Sequence, residues 1–253
     1  TYTFGSPKGR LDEDGMVDRV DVKLGWSCNN RCRFCVQGKK RDIYEDRTTA
    51  RAKELLDEAR KSADEVVLTG GEVTCRDDLP ELVAHAKSLG FGLIQVQSNG
   101  RRLADDAYCG ALFEAGVTEF SPALHGPTVA SHDALTRAPG SFRQTVRGIL
   151  NVKKRGGRVI TNSVITRSTT RLLGDLGRLL VKLGVDQYQL AFPHPLGTAA
   201  TLFDAIVPRL SMIQQNLIEG LEPGIRAGRE VMTEAVPYCF LRGYEQYAAE
   251  RIM

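Results

Sequence analysis

The 253-residue chain has no apolar run near the roughly 18 residues that a membrane-spanning helix needs. Its opening stretch, TYTFGSPKGRLDEDGM, has no apolar signal core, so a cytoplasmic location is the expectation. No long block of one charge sign occurs: 34 basic and 31 acidic residues are interspersed, for a formal net charge of +3. That balance leaves no electrostatic footprint for nucleic acid, and no basic or aromatic nucleic-acid module is appended, so a nucleic-acid partner is not expected. Low-complexity tracts, linkers and internal repeats beyond a β-α rhythm are also missing. A length of 253 residues, 42% of them hydrophobic, therefore reads as one well-buried globular core. Histidine is scarce, at four residues. Cysteine is not, at six, but a disulfide framework belongs to small secreted chains that cannot build such a core.

Short β-branched runs alternate with segments of helical period, the pattern of repeated β-α units around a parallel sheet. Strands are expected at 17–25, 65–71, 92–99, 117–124, 158–166 and 186–193, and helices at 49–63, 79–90, 104–116, 141–156 and 170–184. Four of these helices stop at Gly90, Gly116, Gly156 and Gly184, where a left-handed residue is easiest for glycine. Six units are compatible with an open doubly wound sheet or a partial barrel. In both, chemistry gathers in the loops after the strands. After Pro193 the rhythm fades, and 204–234 reads as one or two helices broken by Pro208, Gly220 and Pro223.

The first of those loops contains SCNNRCRFC, with Cys28, Cys32 and Cys35 inside eight positions and no histidine nearby. Structural zinc sites close a tetrahedron with four ligands, usually from two pairs. Here a fourth would have to come from afar. An iron–sulfur cluster is held by thiolates at separate irons. The remaining cysteines are scattered; Cys75 and Cys109 are expected to pack as small hydrophobes.

The Cys28-x3-Cys32-x2-Cys35 spacing, with Phe34 before the last cysteine, resembles the signature of the radical S-adenosylmethionine (radical SAM) superfamily. The similarity continues through Gly70-Gly71-Glu72 and Ser98-Asn99-Gly100, over roughly residues 17–195. It implies an α/β fold, a partial (β/α)6 TIM-like barrel with parallel strands. The expected organisation is an N-terminal extension at 1–16, the core domain at 17–200 and a C-terminal helical extension at 201–253. The resemblance also implies a [4Fe-4S] cluster on Cys28, Cys32 and Cys35, with one iron open to the amino and carboxylate groups of S-adenosyl-L-methionine. An electron from a flavodoxin- or ferredoxin-like donor then cleaves the cofactor to methionine and a 5′-deoxyadenosyl radical, which takes a hydrogen atom from substrate.

By the same resemblance, Gly70, Gly71 and Glu72 form a strand end whose acid receives the cofactor ammonium, although Val73 stands where the family has proline. Ser98, Asn99, Ser121 and Asn162 match further cofactor positions, Phe34 lies near the adenine, and Arg137 faces the cofactor carboxylate. For Ser98, Ser121 and Asn162 ordinary turn or strand-end hydrogen bonding is an equal reading, and for Arg137 helix-end solvation is. His132-Asp133 is expected to cap or buttress a helix. Catalytic candidates are His125, which replaces an acid usual in the family, His194 between two prolines, and Cys239. Each histidine has a structural loop role as its alternative. Cys239 would ligate an auxiliary cluster, quench a substrate radical or, as favoured, pack in the core. The segment 124–142 looks most like members acting on peptides, including maturases of ribosomally made peptides, or on small metabolites. The other readings are a cluster- and cofactor-binding interaction module without turnover, and an RNA-modifying radical enzyme.

Overall fold

The structure, a computed structural model, describes residues 17–252, so the extension expected at 1–16 lies outside the described residues. Seven parallel strands follow one another across a single sheet in chain order: β1 (Val17–Lys23), β2 (Ala63–Thr69), β3 (Leu93–Ser98), β4 (Glu119–Pro122), β5 (Arg158–Val164), β6 (Gln187–Ala191) and β7 (Glu230–Glu234). A doubly wound sheet reverses its strand order at a switch point. Here no reversal occurs, so right-handed crossovers place the helices on one face and the sheet curls into a half-barrel. All four glycine stops have positive φ, from 74° at Gly184 to 117° at Gly116.

The expected strands overlap β1 to β6. The seventh arises where only helices were expected: EVMTE pairs with β6 from Gln187↔Glu230 to Ala191↔Glu234. Five half-polar residues carry too weak a period to show before a partner edge exists. The helix Leu210–Arg226 runs unbroken through Gly220 and Pro223, while Pro208 lies just before it. Tertiary contact compensates for the breakers. The buried Tyr188 hydroxyl on β6 donates to the Gly220 carbonyl (2.7 Å) and accepts from the Gly224 N–H (3.0 Å). Among the described residues no helix is long and apolar enough to cross a membrane.

Strand alternation divides the sheet chemically. Val22, Val66, Leu68, Ile94, Val96, Phe120, Val159, Tyr188, Leu190 and Val231 are buried in one core cluster under the helices. The concave face is polar. Register and side-chain bonding set Lys23 beside Thr69, Thr69 beside Gln97 (2.7 Å), Gln97 beside Ser121, and Asn162 beside Gln189. Its floor is an ion-pair belt in which the buried Glu119 meets Arg158 at 2.9 Å, and Arg19 meets Glu65 at 2.8 Å.

Candidate functional site

The loop after β1 carries the three cysteines and is held by backbone bonds from three directions. From the β2 loop, Gly71 N–H donates to the Gly25 carbonyl (3.0 Å) and Glu72 N–H to the Ser27 carbonyl (2.7 Å). On another side the helix Val129–Thr136 ends with free carbonyls. Arg31 N–H donates to Thr136 O and Arg33 N–H to Leu135 O, both at 2.9 Å, so the cysteine loop completes that helix end. From the loop after β6, Thr198 N–H donates to the Cys35 carbonyl at 2.8 Å.

Glycine is required at two of these crossings. A Cβ on Gly71 would lie 2.2 Å from the Ser27 carbonyl oxygen and 2.3 Å from that of Trp26. At Gly197, where φ is +57°, a Cβ would lie 2.5 Å from the carbonyls of Cys35 and Val36. The β2 glycines thus admit the protein's own cysteine loop. Gly71→Ala is expected to cost about 3 kcal/mol in urea unfolding, the scale of overpacking against a backbone that cannot yield.

All three cysteines are half-buried and free. Burial pushes the Cys32 thiol up to about 12, with the charges of Cys28 and Cys35 adding to it. Burial likewise raises Cys28, opposed by the Asn30 N–H at 3.4 Å and reinforced by Glu72. Arg41 supplies local positive charge, its guanidinium 3.1 Å from the Cys35 sulfur. Among the described residues no three His, Cys, Asp or Glu side chains gather around one ion position. Three free thiols on one loop, without a fourth ligand, fit a cluster gripped at separate irons better than a closed four-ligand zinc site.

Glu72 is 3% exposed and ties the second and third loops together. Its Oε1 accepts from Thr74 N–H (3.0 Å), the Thr74 hydroxyl and the Ser98 hydroxyl (2.7 Å); its Oε2 accepts from Asn99 N–H. Asn99 in turn donates from Nδ2 to Asn29 Oδ1 at 2.6 Å, inside the cysteine loop. Gly70, Gly71, Glu72, Ser98 and Asn99 therefore converge on that loop. Ser121 is buried on β4, and Asn162 on β5 has a buried Oδ1 with no hydrogen-bond partner. Phe34 is buried among Leu135, Ala199 and Ile206. Arg137 is exposed and caps the helix Val129–Thr136 with φ +53°.

The histidine candidates separate. His125 is buried, with its ring 4.5 Å from that of Phe34. Val164 N–H donates to His125 Nδ1 (3.2 Å), and His125 N–H donates to His132 Nδ1 (3.1 Å), so each neutral ring carries its proton on Nε2. Burial holds His125 well below its ordinary range, with His132 adding to the effect. Burial also lowers His132 to about 4, against the pull of Asp133. His125 is thus a buried, neutral hydrogen-bonding ring. Asp133 caps the helix Ser141–Lys154, accepting from Gly140 N–H (2.7 Å), Phe142 N–H (2.8 Å) and the Ser141 hydroxyl (2.8 Å). His194 is exposed on the loop after β6, 3.7 Å from Glu234 Oε1 on β7.

These histidines predict an acid-sensitive fold. Because the folded values lie below the unfolded ones, their stabilisation is complete above about pH 6.5 and is lost as pH falls toward 4. For His132 alone, a fall from 6.5 to about 4 corresponds to about 3 kcal/mol. Urea midpoints at pH 7.5 and 4.5 should show this loss, and His132→Asn should remove the share that comes from His132 while that of His125 remains. Carboxylates such as Asp133, held below their ordinary value, keep their stabilisation over this range and lose it only at lower pH.

Two cysteines depart from expectation. Cys75 is exposed, at the end of the turn Val73–Cys75 beside Asn29, because buried Val73 and Thr74 fill the inward positions of that turn. Cys239 is exposed in the turn Tyr238–Phe240 beyond β7, because Leu241 rather than the thiol fills the core there. Only Cys109 is buried. Sequence reasoning missed Arg41, which carried no signal beyond a basic run, and Arg101. The latter donates to Asn29 O (2.6 Å), Asn30 Oδ1 (2.9 Å) and Gln144 Oε1 (2.6 Å), bracing the cysteine loop from the third strand end.

The half-barrel thus carries three cysteines at its first strand end, against a glycine-rich second strand end with a buried acid. A sequence profile of the Radical SAM superfamily matches residues 23–171, and the chain belongs to that superfamily. An AdoMet-dependent heme synthase from Nitratidesulfovibrio vulgaris is 29% identical over 207 residues, covering 81% of this chain and 56% of the relative. One from Oleidesulfovibrio alaskensis is 32% identical over 204 residues, covering 80% and 50%. The chain thus spans about half the length of these curated relatives. In fold it is similar to Streptococcus suis SuiB bound to S-adenosylmethionine, with a TM-score of 0.70, 15% identity, and coverage of 86% of this chain and 50% of the other.

Proposed function

We propose that this chain is the catalytic half-barrel of a radical SAM enzyme that abstracts a hydrogen atom from a peptide or small polar metabolite. The observation that carries the reading is the triple bracing of the cysteine loop at the barrel mouth, beside a buried carboxylate. Cys28, Cys32 and Cys35 would hold the [4Fe-4S] cluster. When bound, that cluster supplies the electron that splits S-adenosylmethionine into methionine and a 5′-deoxyadenosyl radical. The rest is work of the chain: bind, orient and exclude competing reactions.

Glu72 Oε2, with one donor against three on Oε1, has the free lone pair for the cofactor ammonium. Asn162 Oδ1 is an acceptor awaiting a donor, as a cofactor hydroxyl or ammonium would provide. Arg41 offsets the negative charge of the thiolates at Cys35. The amides and hydroxyls of the concave face suit a hydrogen-bonding substrate better than an apolar macrocycle. The test is anaerobic reconstitution with iron and sulfide, reduction, addition of S-adenosylmethionine and assay of 5′-deoxyadenosine. Product that requires all three cysteines is expected. A four-iron cluster that forms and yields none, even with strong reductant, replaces this reading with a cofactor-binding module.

A further inference from the structure

The glutamates of the concave face are matched to cations on its floor and left unmatched at its rim. On the floor, Glu65 pairs with Arg19 at 2.8 Å, Glu119 with Arg158 at 2.9 Å, and Glu230 with Arg158 at 3.1 Å. Asp21, on the opposite edge strand, lies in the field of Arg19. Glu234 closes β7, the last strand of the sheet, and alternation turns it to the concave side because Val231 and Thr233 are buried on the other. Its Oε2 accepts from Gln189 Nε2 on β6, and its Oε1 lies 3.7 Å from His194 Nε2. Among the described residues no lysine or arginine pairs with it.

Neither contact cancels the charge. Gln189 is neutral, and His194, 53% exposed, is a cation only when protonated. The carboxylate is nonetheless held in place. An ionised carboxylate only accepts, so Gln189 turns its amide N–H₂ to Glu234. The strand end is pinned on both sides: Phe192 N–H donates to the Glu234 carbonyl (2.9 Å), and Ala235 N–H, at a residue with φ +58°, donates to Glu250 Oε1 (2.6 Å). With its side chain 32% exposed, Glu234 is a fixed, reachable anion without a counter-ion. Asn162, the cofactor acceptor of the proposed site, pairs in register with Gln189, which puts it two strands from β7, about 10 Å across the sheet. A nitrogen held at Glu234 therefore lies several bonds from the atoms nearest the cofactor, as it does at the end of a lysine or arginine side chain.

We propose that Glu234, positioned by Gln189, binds a cationic nitrogen of the substrate, so that the substrate is a lysine- or arginine-type side chain or a free amine of that length. This rests on the functional reading above in taking the ligand for the substrate; the charge preference of the site does not depend on turnover. A partly desolvated carboxylate whose geometry is preset gives a charged donor a shorter and stronger hydrogen bond than a neutral one. An apolar side chain of similar length gains nothing there, and an acidic one is repelled.

The test is anaerobic calorimetry on the full-length protein, reconstituted with iron and sulfide and saturated with S-adenosylmethionine. The probes are the N-acetyl, N′-methylamide derivatives of lysine, arginine, norleucine and glutamate, together with free L-lysine. Wild type should bind a lysine or arginine probe about tenfold more tightly than the norleucine probe, the scale of one charge-assisted hydrogen bond. Glu234→Gln should bring these affinities together, and Glu234→Lys should invert the order in favour of the glutamate probe, a reversal that damage to the fold does not produce. Tighter binding of the capped lysine than of free L-lysine makes the substrate a peptide; the reverse order makes it a free amine. Equal affinity of wild type for the lysine, arginine and norleucine probes overturns the proposal, as does no binding of any probe up to about 10 mM. So does a charge preference that survives Glu234→Gln. Failure of wild type to form 5′-deoxyadenosine with dithionite would instead overturn the functional reading and leave the measured charge preference intact.

Discussion

Replacing Cys32 with alanine is expected to abolish the brown cluster and reduce 5′-deoxyadenosine to background, while leaving the fold in place. Cys32 is half-buried, and its burial and the two neighbouring cysteines hold it protonated without metal, at about 12. Its thiolate is therefore a state that metal binding creates, and its packing contribution is small, about 1 kcal/mol. Iron and sulfide content after reconstitution, with the urea midpoint as control, separates the two effects. Cys109→Ala is the matched comparison: Cys109 is fully buried on the helix Asp106–Ala115, and its loss should cost about 1 kcal/mol of stability with iron content unchanged. Normal iron in the Cys32 variant would contradict the ligand assignment.

The second large effect is expected at Glu72. Glu72→Gln presents an amide N–H₂ where the chain supplies only donors to the carboxylate, from Thr74, Ser98 and Asn99. One donor must then face another in a buried site, costing about 2 kcal/mol in unfolding measurements. The loss of the acid should weaken S-adenosylmethionine binding by about 100-fold, the scale of removing one partner of a buried charge pair. Iron content should stay normal, because Glu72 is not among the sulfur ligands. A variant with full iron and undiminished cofactor affinity would leave Glu72 as a structural brace between β2 and β3 alone.

The legible part of this protein follows periodicity and spacing. The β-branched runs of β1 to β6 and the glycine stops between them are local signals, and local signals survive without knowledge of partners. The same holds for Cys28, Cys32 and Cys35, and for Gly70, Gly71 and Glu72, whose places at successive strand ends require only the β-α rhythm. What was misread depended on neighbours. β7 needed the open edge of β6, the helix Leu210–Arg226 kept its course through Pro223 because Tyr188 holds it to the sheet, and Cys75 and Cys239 faced outward because other residues of their turns filled the interior.

The sequence by itself determined the three closely spaced cysteines, 28, 32 and 35, and the repeating unit that brings loops to one rim. Only the tertiary structure decided how those sulfurs are held. The Thr136 carbonyl, the Thr198 N–H and the Arg101 guanidinium reach the cysteine loop from positions distant in the chain, and none carries a motif. It also decided that His125 is a neutral buried ring, since the fall in its basicity comes from burial and from His132, not from its identity. Ligand chemistry is carried by side-chain type and is readable in order along the chain; orientation and protonation are set by which backbone groups and dielectric surround each side chain, and those exist only once the sheet has curled.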